Sequence, residues 1–209
     1  MSDFHSRDIH GAHDATLHAS QGDEAAPTGK GSGCTGSDSG IYRVLMICTA
    51  DHSRSPLAAA MLRAEVLKRG LQSRIAIESG AVRNLKVGEP PSEEMVEVGR
   101  RRGLAVEGQA RWASPERIAA ADLVVCMDAS HMEELAVEAT TCGAPLDAAC
   151  SGSDSARVRL LLSFAPWVGR AEVPDPHGRD LDTHERVAEL IAAGVEGLVR
   201  WIERRIGAA

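Results

Sequence analysis

The run Cys48-Thr49-Ala50-Asp51-His52-Ser53-Arg54-Ser55-Pro56 sets a thiol five residues ahead of a guanidinium, with a hydroxyl directly after it. Five intervening residues let the backbone curl until its N–H groups converge on one anion, and a helix opening behind them adds partial positive charge. Amides, a guanidinium and a hydroxyl all favour an ionised thiol, so the run predicts a Cys48 thiolate near neutral pH. Arg54 can grip two oxygens of a tetrahedral oxyanion bidentately, which lysine cannot do in the same geometry. Ser55 is placed to hydrogen-bond the sulfur. A cysteine and an arginine at this spacing arise by chance about half a time in such a chain, and requiring Ser or Thr next lowers that to about 0.05.

A sulfur that accepts a phosphoryl group also needs a proton for the departing oxygen. Val173-Pro174-Asp175-Pro176-His177 offers one, because two prolines stiffen the chain around a carboxyl. Asp175 is the expected general acid, and then the base for water in a second step. Thr49, Ala50, Asp51, His52, Ser53 and Arg54 form the expected phosphate-binding curl.

These groups must be held by elements that the pattern also supplies. Ile41 to Ile47 is a short β-rich apolar run of the kind buried in a parallel sheet, and it ends at Cys48. From Pro56 the spacing of Leu57, Met61, Ala64 and Leu67 is helical up to Gly70. A second strand is expected over 74–78, a helix between Pro91 and Arg102, and a short helix capped by Ser114 and opened by Pro115. A third strand follows over 122–127, then a helix whose Ser130-His131-Met132-Glu133 resembles a capping box. A fourth strand fits 158–164. A long helix over 183–205 carries Val187, Ile191, Val195, Leu198 and Ile202 on one face. The alternation predicts a small, doubly wound α/β domain with a four-stranded parallel sheet flanked by helices. In such sheets ligands bind beyond the carboxyl ends of the strands, where Cys48 and Asp175 both fall. Trp112, Trp167 and Trp201 read as packing residues without chemistry.

Composition narrows the function classes. The chain has 209 residues and a formal charge of −7, of which residues 1–40 supply −4, so the remainder is nearly balanced. Its six aromatics are scattered and there is no basic stripe, which leaves nucleic acid without a footprint. No run is long and apolar enough for a membrane span, and the start Met-Ser-Asp-Phe-His-Ser-Arg-Asp lacks a signal pattern, so the expected location is cytoplasmic. Five cysteines, odd in number and sparse, read as thiols rather than a disulfide framework. No metal-ligand spacing occurs and no cofactor is expected. Residues 1–40, rich in Gly, Ser and Asp and holding His5, His10, His13 and His18, read as a disordered tail ahead of a 41–209 domain. Residues 137–156 read as a surface excursion.

Taken together, the residues resemble the low-molecular-weight protein tyrosine phosphatase family, whose fold is shared by thioredoxin-coupled arsenate reductases. The likeness rests on the Cys48 to Pro56 loop, Glu78-Ser79-Gly80-Ala81, Val87-Gly88-Glu89-Pro90, Ala110-Arg111, Ala121 to Asp128, and Asp175-Pro176. It implies a phosphocysteine intermediate on Cys48, phosphate binding by Arg54 and the loop amides, thiolate support from Ser55, and acid/base work by Asp175. The implied partners are a phosphorylated protein or small phosphate monoester and inorganic phosphate.

The departures carry expectations of their own. The family's loop usually reads Cys-x-Gly-Asn-x-Cys-Arg-Ser, where this chain has Ala50, Asp51 and Ser53. Ala50 fits only if its backbone angle is not of the glycine type. Asp51 would set a carboxylate near a dianion, with repulsion of about 3 kcal/mol per unit charge at an effective dielectric of about 20. Ser53 removes a thiol able to shield the nucleophile in a disulfide. The aromatics that wall the family's phosphotyrosine pocket are replaced around Leu85 and His177, which become the pocket candidates. Two alternatives follow. One is arsenate reduction, for which Cys126 resembles a second redox cysteine but Glu133 occupies the position of a third. The other is a phosphate-binding protein that does not turn over.

Overall fold

The computed structural model describes residues 40–141 and 157–207. The expected tail, with its four histidines, and most of the 137–156 segment, with Cys142 and Cys150, lie outside the described residues. Five helices, four strands and two short 3₁₀ turns make up the rest.

The strands β1 (Tyr42–Cys48), β2 (Ile75–Ala81), β3 (Leu123–Cys126) and β4 (Val158–Leu160) pair in the order β2-β1-β3-β4, all parallel. Both neighbours of β1 are reached by crossover connections through helices: α1 (Arg54–Lys68), then α2 (Glu93–Arg101) and α3 (Pro115–Ala120). β1 is therefore the strand at which the winding reverses, and the chain leaving it at Cys48 opens into the crevice between β1 and β3. The pleat of β1 divides the core. Val44, Met46 and Cys48 face α1 and α5 (Leu181–Gly207), whereas Leu45 and Ile47 face the layer of α3 and α4 (Ala129–Thr141). Leu57 and Leu62 of α1 are fully buried, each worth about 2 kcal/mol of apolar transfer.

Several boundaries differ from the sequence expectation, each for a local reason. α1 begins at Arg54, two residues before Pro56, because a proline in the first turn removes only an N–H that lacks an intrahelical partner anyway. β2 continues to Ala81 because it pairs with β1 as far as Cys48. α4 is capped by Asp128, whose carboxylate accepts from the His131 N–H at 3.3 Å; Ser130 lies inside the helix and donates to the same oxygen at 2.6 Å. The expected capping box is thus replaced by an aspartate cap. α4 also extends to Thr141, so the expected surface excursion begins later than residue 137.

The fourth strand stops at Leu160, and Leu161–Phe164 turns into 3₁₀ helix with Leu161, Leu162 and Phe164 all buried. A continuous apolar run does not distinguish these two states. What selects the turn is α5, which approaches so closely that a Cβ at Gly197 would sit 1.8 Å from the Phe164 carbonyl oxygen. Ser92 and Ser114 cap α2 and α3, accepting from Met95 and Arg117 amides. Trp201 packs edge-on against Phe164 at 5.4 Å as a core residue, but Trp112 and Trp167 are exposed. Among the described residues no helix is long and apolar enough to cross a membrane.

Candidate active site

The β1–α1 loop is tied down from outside. The Cys48 and Thr49 carbonyls accept from the Val82 and Arg83 amides at 3.0 and 2.9 Å, extending the β1–β2 pairing past the strands. The His52 carbonyl accepts from the Ser92 amide at 2.7 Å, and the Ser53 hydroxyl donates to Ser92 Oγ at 3.3 Å. Turned outward, these carbonyls set the curl that the spacing predicts. Asp51 is the only non-glycine residue with positive φ among those described, at 50°. Aspartate tolerates that region because its short side chain can bond locally. Ala50 is not in it, so the glycine-to-alanine change costs no backbone strain.

The loop lines one side of an open cleft of about 140 Å³ through residues 48–50 and 52–54; Leu85, Lys86, Asp175 and His177 line the other. The expected nucleophile, arginine, acid and pocket candidates therefore converge on one cavity. Ser55 and Asp51 lie behind it, both buried. Ser55 Oγ is 3.0 Å from Cys48 Sγ. Asp51 departs from expectation: its side chain is turned to the back of the loop, where Oδ1 accepts from Ser55 Oγ at 2.9 Å and Oδ2 from the Arg111 amide at 3.0 Å. Burial raises its proton affinity against the lowering influence of Arg111, Ser79, Ser55 and Arg117. The carboxylate expected to face a bound dianion is instead held as a strut behind the loop, with its proton affinity raised.

Arg54 is 2% exposed and both terminal nitrogens of its guanidinium have partners. Nη1 donates to Asp128 Oδ2 at 2.8 Å and to the Val173 carbonyl at 3.0 Å; Nη2 donates to Thr49 Oγ1 at 3.1 Å and meets Asp175 Oδ2 at 3.0 Å. The Val173 amide in turn donates to the Met127 carbonyl at 2.8 Å, which fixes the Pro174-Asp175-Pro176 segment beside the end of β3. Asp175 is half-exposed, so it is the partner of Arg54 that solvent and ligand can reach.

Asp128 and His131 were not singled out as site residues from the sequence. Burial works to raise the Asp128 pKa, but Ser130, His131 and Arg54 together hold it below the ordinary carboxylate value. His131, completely buried, is pushed down to about 4 by desolvation, with Asp128 opposing. The Asp128 N–H donates to Nδ1 at 3.2 Å, which leaves Nε2 to donate to Thr49 Oγ1 at 3.0 Å. A signal for Asp128 existed: it follows a buried parallel strand directly, at the end where ligands gather.

The far wall holds no aromatic residue. Leu85 is 62% exposed, Lys86 pairs with Glu89 at 2.9 Å, and His52 approaches the same carboxylate at 3.9 Å.

Residues 43–207 match the family model described as low molecular weight phosphotyrosine protein phosphatase. The chain is similar to a low molecular weight protein-tyrosine-phosphatase of Streptomyces coelicolor, with 31% identity over 167 residues, covering 79% of this chain and 96% of that one. It is also similar to the low molecular weight protein-tyrosine phosphatase A of Mycobacterium bovis, with 31% identity over 168 residues, 78% of this chain and 93% of the relative. Among solved structures, that of YfkJ from Bacillus subtilis superposes with a TM-score of 0.69 at 28% identity, covering 79% of this chain and 96% of the other.

Proposed function

The chain belongs to the low molecular weight phosphotyrosine protein phosphatase family, and from that premise we propose that it hydrolyses phosphate monoesters, phosphotyrosine-type phosphoproteins among them, through a phosphocysteine intermediate. It is an enzyme, a protein tyrosine phosphatase-like phosphoric monoester hydrolase. The observation that carries the mechanism is the convergence of Cys48, Arg54 and Asp175 on one cleft, with Ser55 behind the sulfur at 3.0 Å.

Cys48 Sγ attacks phosphorus, the bond from phosphorus to the ester oxygen breaks, and Asp175 gives that oxygen a proton as it leaves. Arg54 and the amides of residues 49–54 hold the three equatorial oxygens, where charge is spread in the transition state. Water then attacks phosphorus, Asp175 takes its proton, and the sulfur–phosphorus bond breaks to release inorganic phosphate. The Ser55 hydroxyl supports sulfur as the anion that attacks and as the anion that departs. Asp128 and the Val173 carbonyl hold one nitrogen of Arg54, leaving the Nη2 edge toward the cleft for substrate.

Leu85, His177, Lys86 and His52 frame the leaving group, so its recognition rests on polar and aliphatic contacts in place of ring stacking. Cys126 is fully buried at the end of β3 and lends no support to arsenate reduction through a thiol relay. Residues 41–209 form the catalytic domain in this reading, with residues 1–40 an appended tail and the cytoplasm as its setting.

The test is phosphate release from an aryl phosphate, together with iodoacetate labelling of Cys48 with and without inorganic phosphate. Turnover, and labelling that phosphate suppresses, are expected. Phosphate binding without turnover would reject hydrolysis in favour of a binding protein, and phosphate-insensitive labelling would reject the site.

A further inference from the structure

Ser55 Oγ stands between two acceptors, Cys48 Sγ at 3.0 Å and Asp51 Oδ1 at 2.9 Å. A hydroxyl has one proton to donate. If sulfur and carboxylate are both ionised, Ser55 serves one and leaves the other facing an oxygen lone pair. Ser55 is completely buried and Asp51 is 1% exposed, so bulk water does not supply the difference. The second carboxylate oxygen is already taken by the Arg111 amide at 3.0 Å. With sulfur ionised, one arrangement gives each of the three a partner along this chain: a proton on Asp51 Oδ1 donated to Ser55 Oγ, whose own proton is then donated to sulfur.

We propose that Asp51 is a positioning residue that carries a proton while Cys48 is a thiolate, and so aims the Ser55 hydroxyl at the sulfur. When Asp51 loses that proton, the Ser55 hydroxyl turns to the new carboxylate, and the thiolate loses its donor and gains a negative neighbour. The two groups therefore titrate as a pair.

The surroundings bear on Asp51 from several elements. On α1 stand Ser55 and Arg63; on β2, Glu78 and Ser79; on α3, Arg117; and the Arg111 amide donates from the segment before α3. Glu78 draws the guanidinium of Arg117 to 2.8 Å and that of Arg111 to 3.3 Å, which diverts positive charge away from Asp51. Burial outweighs what remains and raises the proton affinity of the carboxyl. The left-handed backbone at Asp51 aims this side chain back toward Ser55.

The proposal rests on Cys48 being the nucleophile, and its test separates the two. Asp51→Asn presents a permanent amide donor to Ser55 while its oxygen keeps the Arg111 amide. The alkaline fall of kcat should move upward by about one pH unit in D51N, so that where the wild-type enzyme retains a tenth of its maximum the variant, near half-maximal there, turns over about fivefold faster. The iodoacetate profile of Cys48 should shift toward lower pH in D51N, and in a Ser55→Ala background the same exchange should shift it less, by the charge effect alone. Superimposable wild-type and D51N profiles would overturn the proposal, as would an equal shift without Ser55. Should D51N fail to fold, carbon-13 NMR of the wild-type Asp51 carboxyl decides. A protonated signal at a pH where Cys48 is alkylated supports the shared proton, and an ionised carboxylate throughout that range refutes it. Because alkylation and NMR need no turnover, these readouts stand even if Cys48→Ser were to leave hydrolysis intact, a result that would reject the nucleophile instead.

Discussion

Arg54 and Asp175 meet at 3.0 Å through Nη2, while Asp128 holds Nη1 from the opposite side at 2.8 Å. One guanidinium thus faces two carboxylates of unequal freedom: Asp128 is mostly buried and caps a helix, whereas Asp175 is half-exposed at the cleft. In the proposed mechanism an arriving phosphate would compete for the Asp175 side and free that carboxyl to face the ester oxygen, which would make binding and acid placement one movement at one nitrogen.

Asp175→Asn should lower kcat by about 10²–10⁴-fold, since the amide can neither give nor take the proton. The loss should be smaller for nitrophenyl phosphate, whose leaving oxygen needs little help, than for phenyl phosphate. Steady-state rates on the two esters check this; equal losses would show that Asp175 acts through Arg54 alone.

Arg54→Lys should cost about 10²–10³-fold in kcat/KM. Four acceptors surround the two terminal nitrogens of Arg54, and a single ammonium cannot meet Asp128, Val173 and a phosphoryl group together. The phosphate inhibition constant should rise as well. Thermal unfolding of the variant separates this loss from misfolding.

His131 makes stability depend on pH. Its folded-state pKa of about 4 lies below the ordinary histidine value, so the unfolded chain binds the proton more readily. Its contribution is present above about pH 6.5 and is lost as pH falls toward 4, at most about 3 kcal/mol in all. His131→Asn should flatten the difference between urea midpoints at pH 4.5 and pH 7. Asp51, with its proton affinity raised, acts in the opposite direction, so the comparison between variant and wild type isolates the histidine.

Gly197→Ala should lower the melting temperature by about 5 °C or more, because the new methyl would meet the Phe164 carbonyl backbone and force α5 away from the 3₁₀ turn. Calorimetry measures it. No residue lining the cleft belongs to α5 or to the 3₁₀ turn, so kcat should hold at temperatures where the variant is folded.

Much of this was legible in the chain. The apolar run into Cys48, the helix signal after Pro56 and the alternation of elements specify a parallel sheet with its loop at the switch strand. Cys48, Arg54, Ser55 and Asp175 follow from residue chemistry and spacing. The rest depends on contacts between distant segments. Nothing local to Leu161 announces the 3₁₀ turn that Gly197 draws in, and nothing local to His131 announces Thr49, 82 positions away. The direction of Asp51 is hidden for the same reason: its place in the loop points to a carboxylate facing a bound dianion, while its contacts are set by Ser55 and by the Arg111 amide, 60 positions away.

The most direct measurement is rapid acid quenching of the enzyme during turnover of an aryl phosphate, followed by peptide mass spectrometry. A phosphoryl group should appear on the peptide bearing Cys48, accumulate when Asp175 is replaced by alanine, and vanish in Cys48→Ser together with phosphate release. Hydrolysis that continues in Cys48→Ser, or a phosphoryl group found on another residue, would contradict sulfur as the nucleophile.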